Sequence, residues 1–457
     1  MKKLNITFCS FPDFSSNAKA LYEYMVKRYN NNMNFVWIVR YDEAYERLKK
    51  INIKVYKIGT SDYYDCVKRT DVFFTTHGDI AHDKNESALY IELWHGLSLK
   101  HIGFLSDNVN NNDNMWYSVV KRKVDYFVLP SDFWRVIFST RFNVNYNRTL
   151  NLGYPKFDYF INQNSIINLN KILNIDVKKY KKIIYYMPTY RKRCDWDCEA
   201  KINTYNILNL EKYNEEDLNQ YLLKMNYLLC IKKHPSEENE LFNNETDNIK
   251  IIKEEALLEK SITINEIINA ADLMITDYSS LGIEFIFLNK PVIYLINDVD
   301  EYMINRGITF DNYNFWMPGY KVKKIDELKY AIDDSFSNTF RYRNEIKEKK
   351  KLWFGELKNG GCKQICDFLF DKNFRINKSV KYYHDYEEEL EKNLNQLNNE
   401  IYNKNLTIKN LNSKIECNSL IINELENELN FVKNSKGWKF LEKIRKIKRK
   451  ILSKIKK

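Results

Sequence analysis

Short apolar runs alternate with longer amphipathic stretches along the first 370 residues. Most positions within each run are apolar, with little alternation between polar and apolar side chains. That pattern is typical of strands buried on both faces of a parallel sheet. The predicted strands lie at 4–10, 34–40, 53–59, 71–78, 88–96 and 125–131, and then at 181–187, 227–231, 271–276 and 290–296.

Two successive series of strands and helices predict an α/β fold with two doubly wound, Rossmann-type domains that face each other across a cleft. We expect the first domain at 1–165 and the second at 166–372. Ligands of such sheets bind beyond the carboxyl ends of the strands. The candidate residues that directly follow an apolar run are His95, Arg191, His234 and Asp277.

From Leu390 onward the apolar positions are spaced alternately by four and three residues. With mostly Ile at position a and Leu at position d, the heptad favours a parallel two-stranded coiled coil at 385–433, and hence a homodimer. The alternative is a single helix that folds back on the body of the chain. Position a holds Leu394, Ile401, Ile408, Ile415, Ile422 and Leu429; position d holds Leu390, Leu397, Lys404, Leu411, Asn418, Leu425 and Val432.

The charge of the chain is concentrated in its last segment, 435–457. Eleven basic residues and one acidic residue give this segment a charge of +10, whereas the rest of the chain has 61 basic and 60 acidic groups. Its apolar residues recur at helical spacing from Trp438 to Ile455. A basic amphipathic helix of this kind is typical of an anionic membrane surface. RNA binding is the competing interpretation, but phosphates make no use of an apolar stripe, so we expect no nucleic acid partner.

Composition excludes several other classes of protein. A chain of 457 residues exceeds the size of one hydrophobic core, which agrees with two domains. The chain begins without an apolar signal-peptide core and its eight cysteines are scattered, so we expect a reducing cytosol. No run of 18 apolar residues predicts a membrane span. No histidine completes the spaced pairs at Cys194 and Cys198 or at Cys362 and Cys366, so we expect no metal.

Six segments carry candidate chemistry, and each has a structural interpretation as well. A histidine at a strand end usually satisfies a local hydrogen bond, and the sequence at 276–280 is a good helix N-cap. The same residues also supply what phosphoryl transfer needs, namely a proton acceptor, cations, and hydroxyl and N–H groups at a helix start. Arg191, Lys232 and Lys233 are the cations nearest to these strand ends in the sequence.

In this order the six segments resemble the CDP-glycerol glycerophosphotransferase family of teichoic acid and capsule polymerases. The resemblance covers roughly residues 1 to 370. One difference is Glu284, where the family usually has aspartate. The matching residues are Trp94, His95, Gly96, Lys100 and Gly103; Gly153, Tyr154, Pro155 and Asp158; Pro188, Thr189 and Arg191; His234 and Pro235; Thr276 to Ser280; and Asp300, Tyr302, Arg306, Gly307, Asp311, Pro318 and Gly319.

The resemblance implies a GT-B-like enzyme whose second domain binds a CDP-alditol donor and whose first domain faces the acceptor. It implies that His95 takes the proton of the acceptor hydroxyl and that His234 holds the donor pyrophosphate. Asp277 either orients a histidine or contacts the donor. No cofactor is implied. The substrate-binding residues that it implies are Gly96, Lys100, Arg191, Lys232, Thr276, Ser279, Ser280 and Arg306.

The expected reaction transfers glycerol phosphate to a lipid-linked or polysaccharide acceptor, with release of CMP, at the cytoplasmic face of the cell membrane. The alternatives are a ribitol phosphate transferase, a GT-B glycosyltransferase that uses a nucleotide sugar, and a non-catalytic coiled-coil scaffold. The two motif histidines and the hydroxyl cluster at 276–280 argue against the scaffold.

Overall fold

The computed structural model describes residues 3–106, 117, 120–189, 206–232, 245–310, 312–357 and 360–455. The chain divides into two compact units, Met1–Asp385 and Tyr386–Lys457. The first unit contains two parallel β-sheets. The second unit is helical.

The strands of the first sheet are β1 (Leu4–Cys9), β2 (Met33–Val39), β3 (Val55–Lys57), β4 (Val72–Thr75), β5 (Leu89–Glu92), β6 (Tyr126–Leu129) and β7 (Thr149–Asn151). Their order across the sheet is β3-β2-β1-β4-β5-β6-β7. All neighbours pair in parallel. The order changes direction between β1 and β4, which is the place where doubly wound sheets bind ligands.

The strands of the second sheet are β8 (Lys182–Tyr186), β9 (Tyr227–Ile231), β10 (Ile249–Ile251), β11 (Leu273–Thr276), β12 (Val292–Leu295) and β13 (Tyr320–Val322). Their order is β10-β9-β8-β11-β12-β13, again entirely parallel. Here the order changes direction between β8 and β11. The α/β prediction with two parallel sheets is therefore confirmed, and both sheets have the Rossmann strand order.

Helices cover the sheets, which explains why every residue of β4, β5, β11 and β12 is buried. Short 3₁₀ turns include Ala81–Asp83, Gly103–Leu105, Ile264–Glu266 and Ile286–Leu288. The α-helices of the first unit are α1 (Ser16–Tyr29), α2 (Asp42–Lys50), α3 (Ser61–Arg69), α4 (Asp132–Phe142), α5 (Phe157–Phe160), α6 (Ser165–Leu173), α7 (Glu215–Met225), α8 (Glu254–Glu259), α9 (Ser280–Phe285), α10 (Val299–Arg306), α11 (Tyr313–Trp316), α12 (Ile325–Ser335), α13 (Arg343–Phe354) and α14 (Cys362–Leu369).

Helix α14 returns to the first sheet, although it follows the second sheet in the chain. Its buried residues Cys362, Ile365 and Cys366 share an apolar cluster with Leu21 and Met25 of α1. Burial raises the pKa of both thiols, so each cysteine packs as a small apolar residue. Within the described ranges no three His, Cys, Asp or Glu side chains lie close enough together to hold a metal ion.

The second unit contains most of α15 (Tyr383–Asn434) and all of α16 (Lys436–Ile455). The six residues predicted at position a of the heptad lie on α15 and are between 49% and 62% exposed. Among the residues described, no helix is both long enough and apolar enough to cross a bilayer.

Candidate active site

The segment after β5 carries His95, and its backbone is held at several points. Asn17 of α1 donates its side-chain amide to the carbonyl oxygens of Leu93 and Trp94, at 3.0 and 2.9 Å. Glu92, the last residue of β5, accepts the Trp94 N–H at 2.8 Å. Trp94 has a φ of 54°, a left-handed conformation that bulky residues rarely adopt. These bonds therefore stabilise a strained turn that presents His95 at the strand end.

The His95 ring is oriented by the end of the neighbouring strand. Its Nδ1 lies 3.2 Å from the carbonyl oxygen of Thr76. Because a carbonyl oxygen only accepts, Nδ1 carries the proton and Nε2 keeps a lone pair. Burial lowers the pKa of His95 to about 4, and the ammonium groups of Lys156 and Lys100 act in the same direction. The imidazole is thus neutral at pH 7, as a proton acceptor must be.

A second imidazole, His77, lies flat against His95. The ring centroids are 3.9 Å apart and the ring planes differ by 6°. The Thr76 hydroxyl lies 2.9 Å from His77 Nδ1. Burial, reinforced by His95, lowers the pKa of His77 to about 2, so both stacked rings are neutral. The motif analysis missed His77, although the predicted strand at 71–78 places it at the same sheet edge as His95.

The loop after β5 meets the second half of the chain at Gly96. A Cβ atom added at Gly96 would lie 3.3 Å from Ser280 Oγ and 3.4 Å from Glu284 Oε1. Lys100, four residues further on, lines a small cavity together with Ser279. The residues flanking His95 therefore touch the start of α9, which belongs to the second sheet.

Asp277 follows β11 and joins it to the end of β8. Its carboxylate accepts the Thr189 N–H at 2.8 Å and the Thr189 hydroxyl at 2.5 Å. Asp277 is 2% exposed. Because β8 and β11 are the strands between which the sheet order changes direction, this bond shapes the region where a doubly wound sheet binds its ligand. Asp277 thus positions the turn after β8, a role that differs from the two expected for it.

Two other residues of the same motif have local bonds. The Thr276 hydroxyl donates to the Met187 carbonyl oxygen at 2.7 Å, and Thr276 is fully buried. Its side chain therefore packs β11 against β8, which gives no support for its predicted contact with substrate. Ser279 caps α9, since its hydroxyl accepts the Leu281 N–H at 3.4 Å. Ser280 is half-buried at the first position of the helix.

Comparison with known proteins agrees with this site. The family described as CDP-glycerol:poly(glycerophosphate) glycerophosphotransferase matches residues 1–371. The chain belongs to this family. It is 29% identical over 341 residues to the teichoic acid glycerol-phosphate primase of Bacillus subtilis strain 168, with 71% of this chain and 82% of that protein covered. It is 27% identical over 379 residues to the teichoic acid glycerol-phosphate transferase of Staphylococcus aureus strain NCTC 8325, with 78% and 90% covered.

A solved structure supports the same fold for this glycerophosphotransferase family member. The wall teichoic acid polymerase TagF superposes with a TM-score of 0.65 at 21% identity, and the match covers 86% of this chain and 91% of that chain. At this level of identity the likeness concerns the fold alone.

The remaining predicted residues of the glycerophosphotransferase motif set differ in what the structure says of them. Lys232 follows β9, and its Nζ lies 3.0 Å from Glu254 Oε2 of α8. An ion pair reduces the positive charge that Lys232 offers to a diphosphate, so this prediction gains no support from the geometry. Arg306 is the last residue of α10. Arg191 and His234 lie outside the described residues.

Proposed function

We propose that this chain transfers glycerol phosphate from CDP-glycerol to a hydroxyl group of a cell-surface polymer and releases CMP. Family membership supports the reaction type. The observation that carries the assignment of the site is the contact between Gly96 and Ser280, because it brings the only described strand-end imidazole of the family motif beside the hydroxyl-bearing turn. His95 Nε2, with its free lone pair, is the proposed proton acceptor.

The proposed reaction is a displacement at phosphorus. The acceptor hydroxyl oxygen attacks the phosphorus that carries the glycerol, while its proton passes to His95 Nε2. The bond from this phosphorus to the bridging oxygen of the diphosphate breaks, and CMP leaves with that oxygen. A phosphodiester between acceptor and glycerol is the other product. The positioned imidazole then returns its proton to CMP or to water, which restores the neutral ring.

Donor binding remains with the residues that the family resemblance implies. We assign the pyrophosphate to His234, Arg191, Ser279 and Ser280. Fixed cations and N–H groups would stabilise the leaving CMP, so the proposal includes no metal and no cofactor. Undiminished CMP release after treatment with EDTA is the expected result.

Residues 1–165 are proposed to hold the acceptor and residues 166–372 the donor, on opposite sides of a GT-B-like cleft. Two sheets with the Rossmann strand order support this division, because each has its own change of direction at the carboxyl edge. The contact at Gly96 supports a site shared by both sheets.

The helical unit is proposed to form a parallel coiled-coil dimer through 385–433. Six apolar side chains at one heptad position, each about half exposed on α15, support a partner helix, since a regular apolar stripe is stable in water only when it is covered. At 1.5 Å per residue, six heptads make a rod of about 60 Å.

The basic segment 435–457 is proposed to lie on the anionic inner surface of the cell membrane, as a peripheral anchor. Helix α16 supports this because Leu441, Ile447 and Ile451 are each more than half exposed on a helix rich in lysine. At this surface the enzyme would meet a lipid-linked or polysaccharide acceptor.

Donor profiling tests the proposed function directly. The full chain is incubated with CDP-glycerol, CDP-ribitol and a panel of nucleotide sugars in the presence of a glycerol phosphate polymer, and nucleotide release is measured. We expect CMP release with CDP-glycerol. Preference for CDP-ribitol would move the assignment to a ribitol phosphate transferase, release of nucleoside diphosphate from a sugar donor would make it a glycosyltransferase, and no release from any donor would indicate a scaffold.

A further inference from the structure

A buried ion pair joins the His95 loop to the second sheet. Lys156, which lies between β7 and α5, donates from Nζ to Glu284 Oε1 at 2.7 Å and to the His95 carbonyl oxygen at 2.8 Å. The two side chains are 4% and 1% exposed. The ammonium group therefore bonds at once to the loop of the proposed base and to α9.

The same carboxylate also holds the loop directly. Glu284 Oε1 accepts the Leu97 N–H at 3.1 Å. One oxygen atom on α9 thus fixes the backbone on both sides of Gly96, through Leu97 N on one side and through Lys156 to His95 O on the other. Because α9 begins at Ser280, this arrangement sets the distance between His95 and the turn proposed to bind the donor.

Stability alone gives little reason for such a pair. Two charges that are removed from water lose hydration energy that their attraction only partly restores, and a matched apolar pair is often at least as stable. A buried pair that bonds only to scaffold would fit a structural role, but this one bonds on both sides of the proposed base. Its geometry is that of a device for positioning.

We propose that Lys156 and Glu284 are positioning residues that hold His95 at a fixed distance from the donor-binding turn at Ser279 and Ser280. This inference rests on the proposed function, in which these two places act together. Neither residue touches a reacting atom, so removal of the pair should lower kcat and leave the KM for CDP-glycerol nearly unchanged.

Three variants separate positioning from folding. Glu284→Gln keeps an oxygen of equal reach but leaves the Lys156 charge unpaired, so we expect lower thermal stability with kcat within fivefold of wild type. Glu284→Leu should lower kcat about 10²-fold, the loss that follows a displacement of about 1 Å. The double variant Lys156→Met, Glu284→Leu should regain stability, because no buried charge is left alone, while kcat stays about 10²-fold low.

A matched control is available in a second buried ion pair between the two halves of this unit. Lys19 of α1 lies 2.5 Å from Glu266, and its side chain is 1% exposed, but neither residue bonds to the His95 loop. Lys19→Met should lower stability and leave kcat within threefold of wild type. A parallel loss of kcat in this control would show that the assay reports stability, and wild-type kcat in the double variant would overturn the inference.

An NMR titration tests the inference even if CDP-glycerol is not the donor. The ionisable groups around His95 are His77, Lys100 and Lys156, with Glu284 beyond Lys156. The full chain has six histidines, so the ring signals of histidine-labelled protein can be assigned by single substitutions. Since the Lys156 charge lowers the pKa of His95, we expect a higher pKa and a shifted ring signal in the double variant. An unchanged signal and pKa would contradict the inference, whereas failure of wild type to use any CDP-alditol would contradict only the proposed function.

Discussion

Replacement of His95 by alanine is the most direct test of the proposed chemistry. The change removes Nε2, the proposed proton acceptor, and leaves the backbone bonds of the loop to Asn17 and Lys156 in place. Loss of a general base typically lowers turnover about 10²- to 10⁴-fold, which corresponds to about 2.7 to 5.4 kcal/mol of transition-state stabilisation. Because Nε2 is assigned to the acceptor and not to the donor, the KM for CDP-glycerol should change less than threefold.

The assay is CMP release by full-length protein under saturating acceptor, with thermal unfolding measured on the same samples. His82→Ala is the matched control, since the His82 side chain is 71% exposed on the 3₁₀ turn after β4 and takes no part in the proposed site. That control should retain wild-type turnover. Unfolding separates lost chemistry from lost structure, because the alanine variant also loses the ring contacts of His95 with His77 and Trp94.

The pH profile adds a second criterion. With the pKa of His95 at about 4, wild-type kcat should stay constant from pH 8 down to about pH 5 and fall below that, as the ring takes up a proton. In His95→Ala this acid limb should disappear along with most of the activity. Turnover within threefold of wild type in the alanine variant, or an acid limb that survives the substitution, would refute the assignment of the base.

Four further changes have defined outcomes. Gly96→Ala should lower kcat roughly tenfold, because the new Cβ would lie 3.3 Å from the Ser280 hydroxyl; the measurement is CMP release. Thr189→Val removes a hydroxyl that donates to buried Asp277 and should cost about 1–3 kcal/mol in denaturant unfolding. His77→Phe should flatten the pH dependence of stability by up to about 1.4 kcal/mol per pH unit below pH 6, because the depressed pKa of His77 means that the unfolded chain binds the extra proton and stability falls with falling pH. A chain that ends at Asn434 should fail to sediment with anionic vesicles, whereas full-length protein should bind them.

Most of the fold could be predicted from the apolar pattern, because long strands buried on both faces leave a clear signal. All ten predicted runs contain a strand. The strands β7, β10 and β13 were missed because each has only three residues, too few to show a period. Their places in the sheets depend on tertiary pairing with β6, β9 and β12.

The candidate site was predictable where chemistry follows a strand directly. His95, Gly96, Asp277 and Ser279 were selected in this way, and the structure places them around one region. Partners that come from distant parts of the chain were not predictable. Asn17 and Lys156, for instance, bond to the His95 loop from residues 76 and 61 positions away. The pairing of Lys232 with Glu254 was missed for the same reason, since no local pattern links a strand end to the next helix but one along the chain.

A low pKa at His95 favours repeated turnover, even though it makes the imidazole a weak base. In a loose phosphoryl transfer the acceptor hydroxyl becomes strongly acidic only when its bond to phosphorus is well formed, so the proton can move late and even a weak acceptor suffices. The imidazolium then sits in a buried site, next to the ammonium of Lys156, and readily gives up its proton. A ring with the ordinary pKa near 6.5 would be partly protonated at rest in a slightly acidic cytosol. Burial of His95 against His77 therefore keeps every resting molecule in the state that can accept the next proton.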